Sequence, residues 1–368
     1  MPVFSRPSRR LGAVATVVAS LAGALVALTV SPAPAAAATP TPVLETKIIG
    51  YSVQHRAIRA YHLGNPNIAR PVVLIGEMHG DEKAGVKVAV ALIHGTVSVE
   101  NINLWIIPTM NPDGYAANTR QNAHKVDLNR NFPYYWTHLT GQYYSGTGPL
   151  SEPESRAVYD FLRTLRPRYV TSLHQPLYGV DTTDGGQKDP GFRDRLAADL
   201  HLPLKAFRCW SFCDGSMAGW YTRSGYGVAI TAEFGWTPST TYLTTTARRG
   251  VVLAMGGTFG SLAAHNPRSA VYVSPSAGSA RVRGWSWDTD RRAAHVVVDY
   301  YRDAALVRRS TAAAPYAPVN SVFGIPGDHG YSLTIPATAG RHTFCLVFHN
   351  IGSGTGSPKQ CVTTTVPA

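Results

Sequence analysis

A chain of 368 residues with 44% hydrophobic residues has room for two domains and can bury a real core; 15% charged residues, with 34 Gly and 26 Pro, exclude a long helical rod. The formal net charge of +12 is scattered, and no nucleic-acid motif accompanies it. Nucleic acid is therefore excluded as a partner, and an anionic surface such as a cell wall is the better match.

Residues 1–38 read as a secretory signal peptide. Arg6, Arg9 and Arg10 form a basic start, Leu11 to Val30 an apolar stretch, and Ser31-Pro-Ala-Pro-Ala-Ala-Ala-Ala a small-residue cleavage site ending near Ala38. Export to the outside of the cell, with no stable membrane insertion after cleavage, is the expectation, and association with the cell wall is compatible with it. The four cysteines are even in number, as suits an oxidising compartment. Local pairing, Cys209 with Cys213 and Cys345 with Cys361, is one of three connectivities.

Residues 39–266 alternate strands and helices. Lys47–Val53 and Ala57–Leu63 read as a hairpin, and Pro71-Val-Val-Leu-Ile-Gly and Ile102–Pro108 as buried strands. Asp81 to His94 has apolar residues at helical spacing, with acids at its start. Ser151-Glu-Pro-Glu predicts a capping box for a helix over Ala157–Leu165. Tyr169–Leu173 and Val228–Glu233 are further strands, and Thr240 to Ala264 reads as largely helical. The expected fold is α/β, a mostly parallel (mixed) sheet flanked by helices.

Residues 267–368 change texture. Ser269–Val273, Ala280–Trp287, Ala294–Tyr301, His329–Ile335 and His342–His349 read as short strands with no helix between them, predicting a small all-β sandwich. Trp285, Trp287, Tyr300 and Tyr301 suit its core or a binding face equally.

Four segments carry chemistry. In Gly76-Glu-Met-His79-Gly-Asp-Glu82, a His and a Glu three apart follow a buried strand and open a helix, at the sheet edge where ligands bind in open α/β folds. Imidazole nitrogen and carboxylate oxygen are both zinc donors. His174 ends one predicted strand and Glu233 another. A carboxylate at the end of an apolar strand is costly unless it has a partner or a task. Asn111-Pro-Asp-Gly114, Arg120 and Asp127-Leu-Asn129-Arg130-Asn131-Phe bring arginine forks that grip carboxylates and oxyanions.

In this order and spacing, the residues over about 45–265 resemble the zinc metallocarboxypeptidase family that includes the pancreatic carboxypeptidases. That resemblance implies one zinc ion on His79, Glu82 and His174, with Glu233 as general base. It further implies that Arg120 stabilises the oxyanion and that Asn129 and Arg130 bind the substrate carboxylate. His-Gly-Asp-Glu, Asn-Pro-Asp-Gly and Val-Asp-Leu-Asn-Arg-Asn-Phe-Pro are similar to the murein peptide amidase branch, which implies a peptidase for γ-D-glutamyl-meso-diaminopimelate bonds in peptidoglycan peptides; a monomer is the separate expectation for its assembly. Asp81, Asp181 or Asp214 is expected to meet the diaminopimelate amine, and Tyr178, Tyr221 and Tyr226 are candidates for the family's mobile tyrosine. The alternatives are a general carboxypeptidase on L-peptides and a non-catalytic cell-wall-binding protein.

Overall fold

Runs of apolar residues with no polar interruption build the centre of a mixed sheet. The computed structural model describes residues 42–183, 185–207 and 214–368. The expected signal peptide and the expected Cys209–Cys213 pair lie outside the described residues.

The first ten strands are β1 (Val43–Tyr51), β2 (Ala57–Gly64), β3 (Val72–Ile75), β4 (Val97–Glu100), β5 (Asn103–Ile107), β6 (Tyr169–His174), β7 (Gly179–Asp181), β8 (Leu204–Lys205), β9 (Val228–Glu233) and β10 (Thr258–Ser261). Eight of them form one sheet in the order β1-β2-β5-β3-β6-β9-β7-β8. Its centre, β5-β3-β6-β9, is parallel, and antiparallel pairs flank it on both sides. The helices beside it include α1 (Ala84–Ile93), α2 (Pro112–Ala117), α3 (Pro153–Leu165), α4 (Gly185–Lys188), α5 (Pro190–Leu200) and α6 (Met217–Arg223).

The alternation of strand side chains divides the core between the two faces of the sheet. Val72 and Leu74 pack with Val88, Leu92 and Leu196 on one face. Val73 and Ile75 pack with Val158, Leu162 and Trp220 on the other. Both faces are covered, which is why the parallel strands are apolar at every position.

The last helical stretch differs from the sequence expectation. Helix runs from α7 (Thr240–Tyr242) through a wide π turn, Leu243–Ala247, into α8 (Arg248–Ala254), and ends there. Residues beyond it form β10, which pairs with β4. Cross-strand pairing overrides local helical pattern at this point. The capping box also fails: α3 starts with Glu152 as its N-cap and no side-chain cap bond. The Ser151 hydroxyl instead donates to Glu152, and Glu154 accepts from the backbone N–H of Val53. Likewise α1 begins only at Ala84, so Asp81 and Glu82 precede the helix and are left to the site.

The remaining strands are β11 (Arg268–Ser276), β12 (Ser279–Trp287), β13 (Val297–Arg302), β14 (Ala305–Thr311), β15 (Gly330–Pro336), β16 (Gly340–Phe348) and β17 (Lys359–Val366). They form two antiparallel sheets, β11-β12-β15 and β14-β13-β16-β17. Val282, Val298, Tyr300, Phe344 and Phe348 share one buried core. A helix the sequence pattern did not reveal, α9 (Ala317–Phe323), covers Trp285 and Trp287 with Phe323. Trp287 and Tyr300 are therefore core residues rather than a binding face. Cys345 and Cys361 are cross-strand partners joined by a disulfide. Among the described residues no helix is long and apolar enough to cross a membrane.

Candidate active site

Three of the four chemical segments end at the carboxyl edge of the parallel strands. His79 and Glu82 lie in the loop between β3 and α1, His174 is the last residue of β6, and Glu233 the last of β9. The loop closes tightly because Gly80 lies against Gly114: a Cβ on Gly80 would come within 1.9 Å of the Gly114 carbonyl carbon. The two glycine-bearing motifs of the sequence thus touch, and only glycine permits the approach.

His79, Glu82 and His174 offer one ligand atom each within 4.8 Å of one another, and all three residues are buried. His79 Nδ1 is 2.8 Å from Glu82 Oε1, and His174 Nδ1 is 2.9 Å from Glu82 Oε2. The outer nitrogens are taken: His79 Nε2 lies 3.0 Å from Asp127 Oδ1 and His174 Nε2 lies 2.9 Å from the Ser172 hydroxyl. Outer partners of this kind fix the ring orientation of metal-binding histidines. Two inward Nδ1 atoms and one carboxylate form a donor set that fits zinc and leaves a position for water.

The charges agree with that use. Burial works against the Glu82 carboxylate, but the His79 and His174 rings outweigh it and hold its pKa far below the usual range. Burial also works against a charged His79; Glu82 and Asp127 overcome it and push the ring up to about 9. A cation held between these groups would replace that proton. Burial raises the Glu233 carboxyl above its ordinary value, with His174 pulling the other way. Glu233 Oε2 accepts from the Leu177 N–H at 3.2 Å, which leaves Oε1 for a proton.

The arginine segment closes the other side. Arg120 donates to Asp127 Oδ2 from Nε and a terminal nitrogen, at 3.0 and 2.8 Å, and to Glu82 Oε1 at 3.2 Å. Asn129 Oδ1 accepts from the Met217 N–H at 3.0 Å, at the start of α6, leaving its amide donors for a ligand. Arg130 is only 7% exposed, and its Nε has no hydrogen-bond partner among the described residues. Burial lowers the pKa of Arg130, and the nearby charge of Arg120 lowers it further. A buried guanidinium with a donor to spare, beside a second cation, has the chemistry to take an anion.

The chain matches the zinc carboxypeptidase family model over residues 35–179. It is 30% identical over 176 residues to murein peptide amidase A of Escherichia coli (strain K12), covering 44% of this chain and 70% of that protein. The chain belongs to the zinc carboxypeptidase family. Two further relatives are matched over smaller shares of their length. Identity is 35% over 153 residues with murein peptide amidase A of Vibrio campbellii, covering 37% of this chain and 58% of the relative. It is 34% over 113 residues with carboxypeptidase SOL1 of Arabidopsis thaliana, covering 27% of this chain and 22% of the relative. Among solved structures, murein-tripeptide amidase MpaA from Escherichia coli O157 aligns at 25% identity and a TM-score of 0.47, over 57% of this chain and 91% of that one.

A zinc carboxypeptidase takes one zinc ion, and His79, Glu82 and His174 are the cluster of described residues able to hold it. The structure brings together every site residue expected from sequence, and it separates several secondary candidates. Tyr221 is fully buried and donates to Pro167 O, and Tyr226 packs by Arg166, so both lie away from the site. Tyr178 is exposed and stands beside Gly235, two residues past Glu233. The Asp181 carboxylate is engaged by Thr183 and the Phe207 N–H. Sequence reasoning missed the role of Asp127, which grips both His79 and Arg120; an acid two residues before an Asn-Arg pair was its signal. It also missed Glu77, fully buried and pushed up to about 8 by burial, whose carboxylate accepts from the Thr109 hydroxyl.

Proposed function

We propose that the protein is a secreted, monomeric zinc-dependent hydrolase that cuts an amide bond next to a free carboxylate, with γ-D-glutamyl-meso-diaminopimelate in peptidoglycan peptides as its substrate. The observation that carries this reading is the unpartnered, buried Nε of Arg130 set beside the His79-Glu82-His174 cluster. A substrate carboxylate supplies the missing acceptor and lies between two cations. Similarity to murein peptide amidase A supports the choice of substrate class.

Zinc, when bound, supplies Lewis acidity that makes water nucleophilic near neutral pH. Glu233 takes the water proton at Oε1 and delivers it to the leaving nitrogen. Arg120, held by Asp127 and Glu82, stabilises the developing oxyanion. Arg130 and the Asn129 amide grip the terminal carboxylate. Asp214, close enough to Arg130 to stabilise its charge, is the acid placed to meet the diaminopimelate amine. Residues 39–266 form the catalytic domain and 267–368 an accessory module, joined by ion pairs His265–Asp290 and Arg291–Glu45.

The test is mass spectrometry of products from purified muropeptides, with and without a chelator, beside blocked dipeptides ending in Lys, Arg or Phe. Chelator-sensitive release of diaminopimelate-containing products is expected. Cleavage of the dipeptides alone would replace this substrate with ordinary L-peptides, and no cleavage of either would leave a wall-binding protein.

A further inference from the structure

A tyrosine that packs in none of the hydrophobic clusters stands over both site arginines. The centroid of the Tyr143 ring lies 5.4 Å from Arg120 Cζ and 5.6 Å from Arg130 Cζ. Both distances are within reach of an attraction between a cation and an aromatic face. We propose that Tyr143 is a positioning residue of the carboxylate site, holding the Arg120 and Arg130 guanidiniums together beside the metal cluster. The inference rests on the carboxylate-binding reading above and names a residue that reading does not use.

Three observations support it. The charge of Arg120 disfavours that of Arg130, and although the Asp127 carboxylate favours both, of the two it hydrogen-bonds only to Arg120. The one Tyr143 ring lies within reach of both guanidinium carbons, so its face can attract the two cations together. Asp127 braces Arg120 by hydrogen bonds, but Arg130 has no ion pair among the described residues; its terminal nitrogen donates only to the Asn129 carbonyl.

The turn that carries the ring is fastened to the same segment it serves. Tyr143 ends a short 3-10 turn, Gly141–Tyr143. The Gln121 amide donates to Gly141 O at 2.9 Å, next to Arg120. The Asp127 N–H donates to Tyr144 O at 2.8 Å, three residues before Arg130. The ring is half-buried, while Gly141 and Gln142 beside it are exposed. A turn tied at both ends to the arginine segment, with its aromatic residue turned inward, sets the spacing of the two cations. Loss of the ring would let Arg130 swing away from Arg120 and weaken the grip on a carboxylate, without touching the metal donors.

The experiment compares wild type, Tyr143→Leu and Tyr143→Phe. Hydrolysis is measured on the muropeptide and on its C-terminally amidated analogue, and binding of meso-diaminopimelate by titration calorimetry. Zinc content and thermal midpoint are recorded for each variant. Tyr143→Leu is expected to raise KM for the free-carboxylate substrate about tenfold and to weaken diaminopimelate binding by the same factor, with one zinc retained and the amidated analogue unaffected. Tyr143→Phe, which keeps the ring, restores both constants to within about threefold of wild type. Equal losses on both substrates, zinc loss in Tyr143→Leu, or unchanged KM and binding would overturn the proposal. If wild type binds diaminopimelate in a Tyr143-dependent way without hydrolysis, the positioning role stands and the enzymatic reading fails. A wild type that neither binds nor hydrolyses removes the carboxylate site and this role with it.

Discussion

His174 and Glu233 are register partners at the carboxyl ends of the parallel strands β6 and β9. Neighbouring strands lie about 5 Å apart, so one pairing sets a metal-binding imidazole beside the proposed base. The relationship needs no long-range accident: two apolar strands aligned in register deliver both groups to one edge.

Glu233→Gln keeps the shape of that strand end and removes the proton acceptor. The variant should retain one zinc per chain while kcat falls by about 10²- to 10⁴-fold. Metal analysis and steady-state kinetics check this together. Activity within tenfold of wild type would mean that another group is the base.

Asp127 holds His79 Nε2 and Arg120 at once. Asp127→Asn keeps the side-chain volume but removes the charge. Zinc affinity should fall by about 10- to 100-fold, as for other outer partners of metal-binding histidines. Competition with a chromophoric chelator measures it, and unchanged affinity would contradict the orienting role.

The junction of the β module should loosen as pH rises. Asp288 is fully buried, and burial pushes its carboxyl up to about 7 from an ordinary 3.8. His265 is raised chiefly by its hydrogen bond to Asp290. In both cases the folded chain keeps a proton that the unfolded chain has released. Stability therefore falls as pH rises from about 4 to 7 for Asp288, and from about 6.5 upward through the raised value for His265. Thermal melts between pH 5 and 8 should show a falling midpoint whose slope shrinks in Asp288→Asn. An equal slope in that variant would contradict the assignment.

The Cys345–Cys361 disulfide closes a sequence separation of 16 residues. Replacing both cysteines by Ala should cost about 3 kcal/mol of stability on chain-entropy grounds. Denaturant unfolding reports the loss, and zinc content should be unchanged because the bond lies in β16 and β17.

Much of the site was legible in the sequence because its residues sit where strands end. His174 and Glu233 each close an unbroken apolar run, and the run itself marks a parallel strand. His79 and Glu82 follow such a run directly. What was not legible depended on partners distant in sequence. Nothing local tells Asp127 from a turn acid, since its bond to His79 spans 48 residues. Nothing local marks Tyr143, whose ring acquires meaning only beside Arg120 and Arg130. The end of α8 was missed because β10 is stabilised by β4, far upstream. Helix α9 was missed because it is short and its apolar face meets two tryptophans of another strand.

Diffraction at the zinc absorption edge from crystals of the zinc-loaded protein addresses the metal centre directly. One anomalous peak is expected about 2.0–2.2 Å from His79 Nδ1, a Glu82 carboxylate oxygen and His174 Nδ1. A peak elsewhere, or none at this cluster with zinc bound stoichiometrically, would contradict the account.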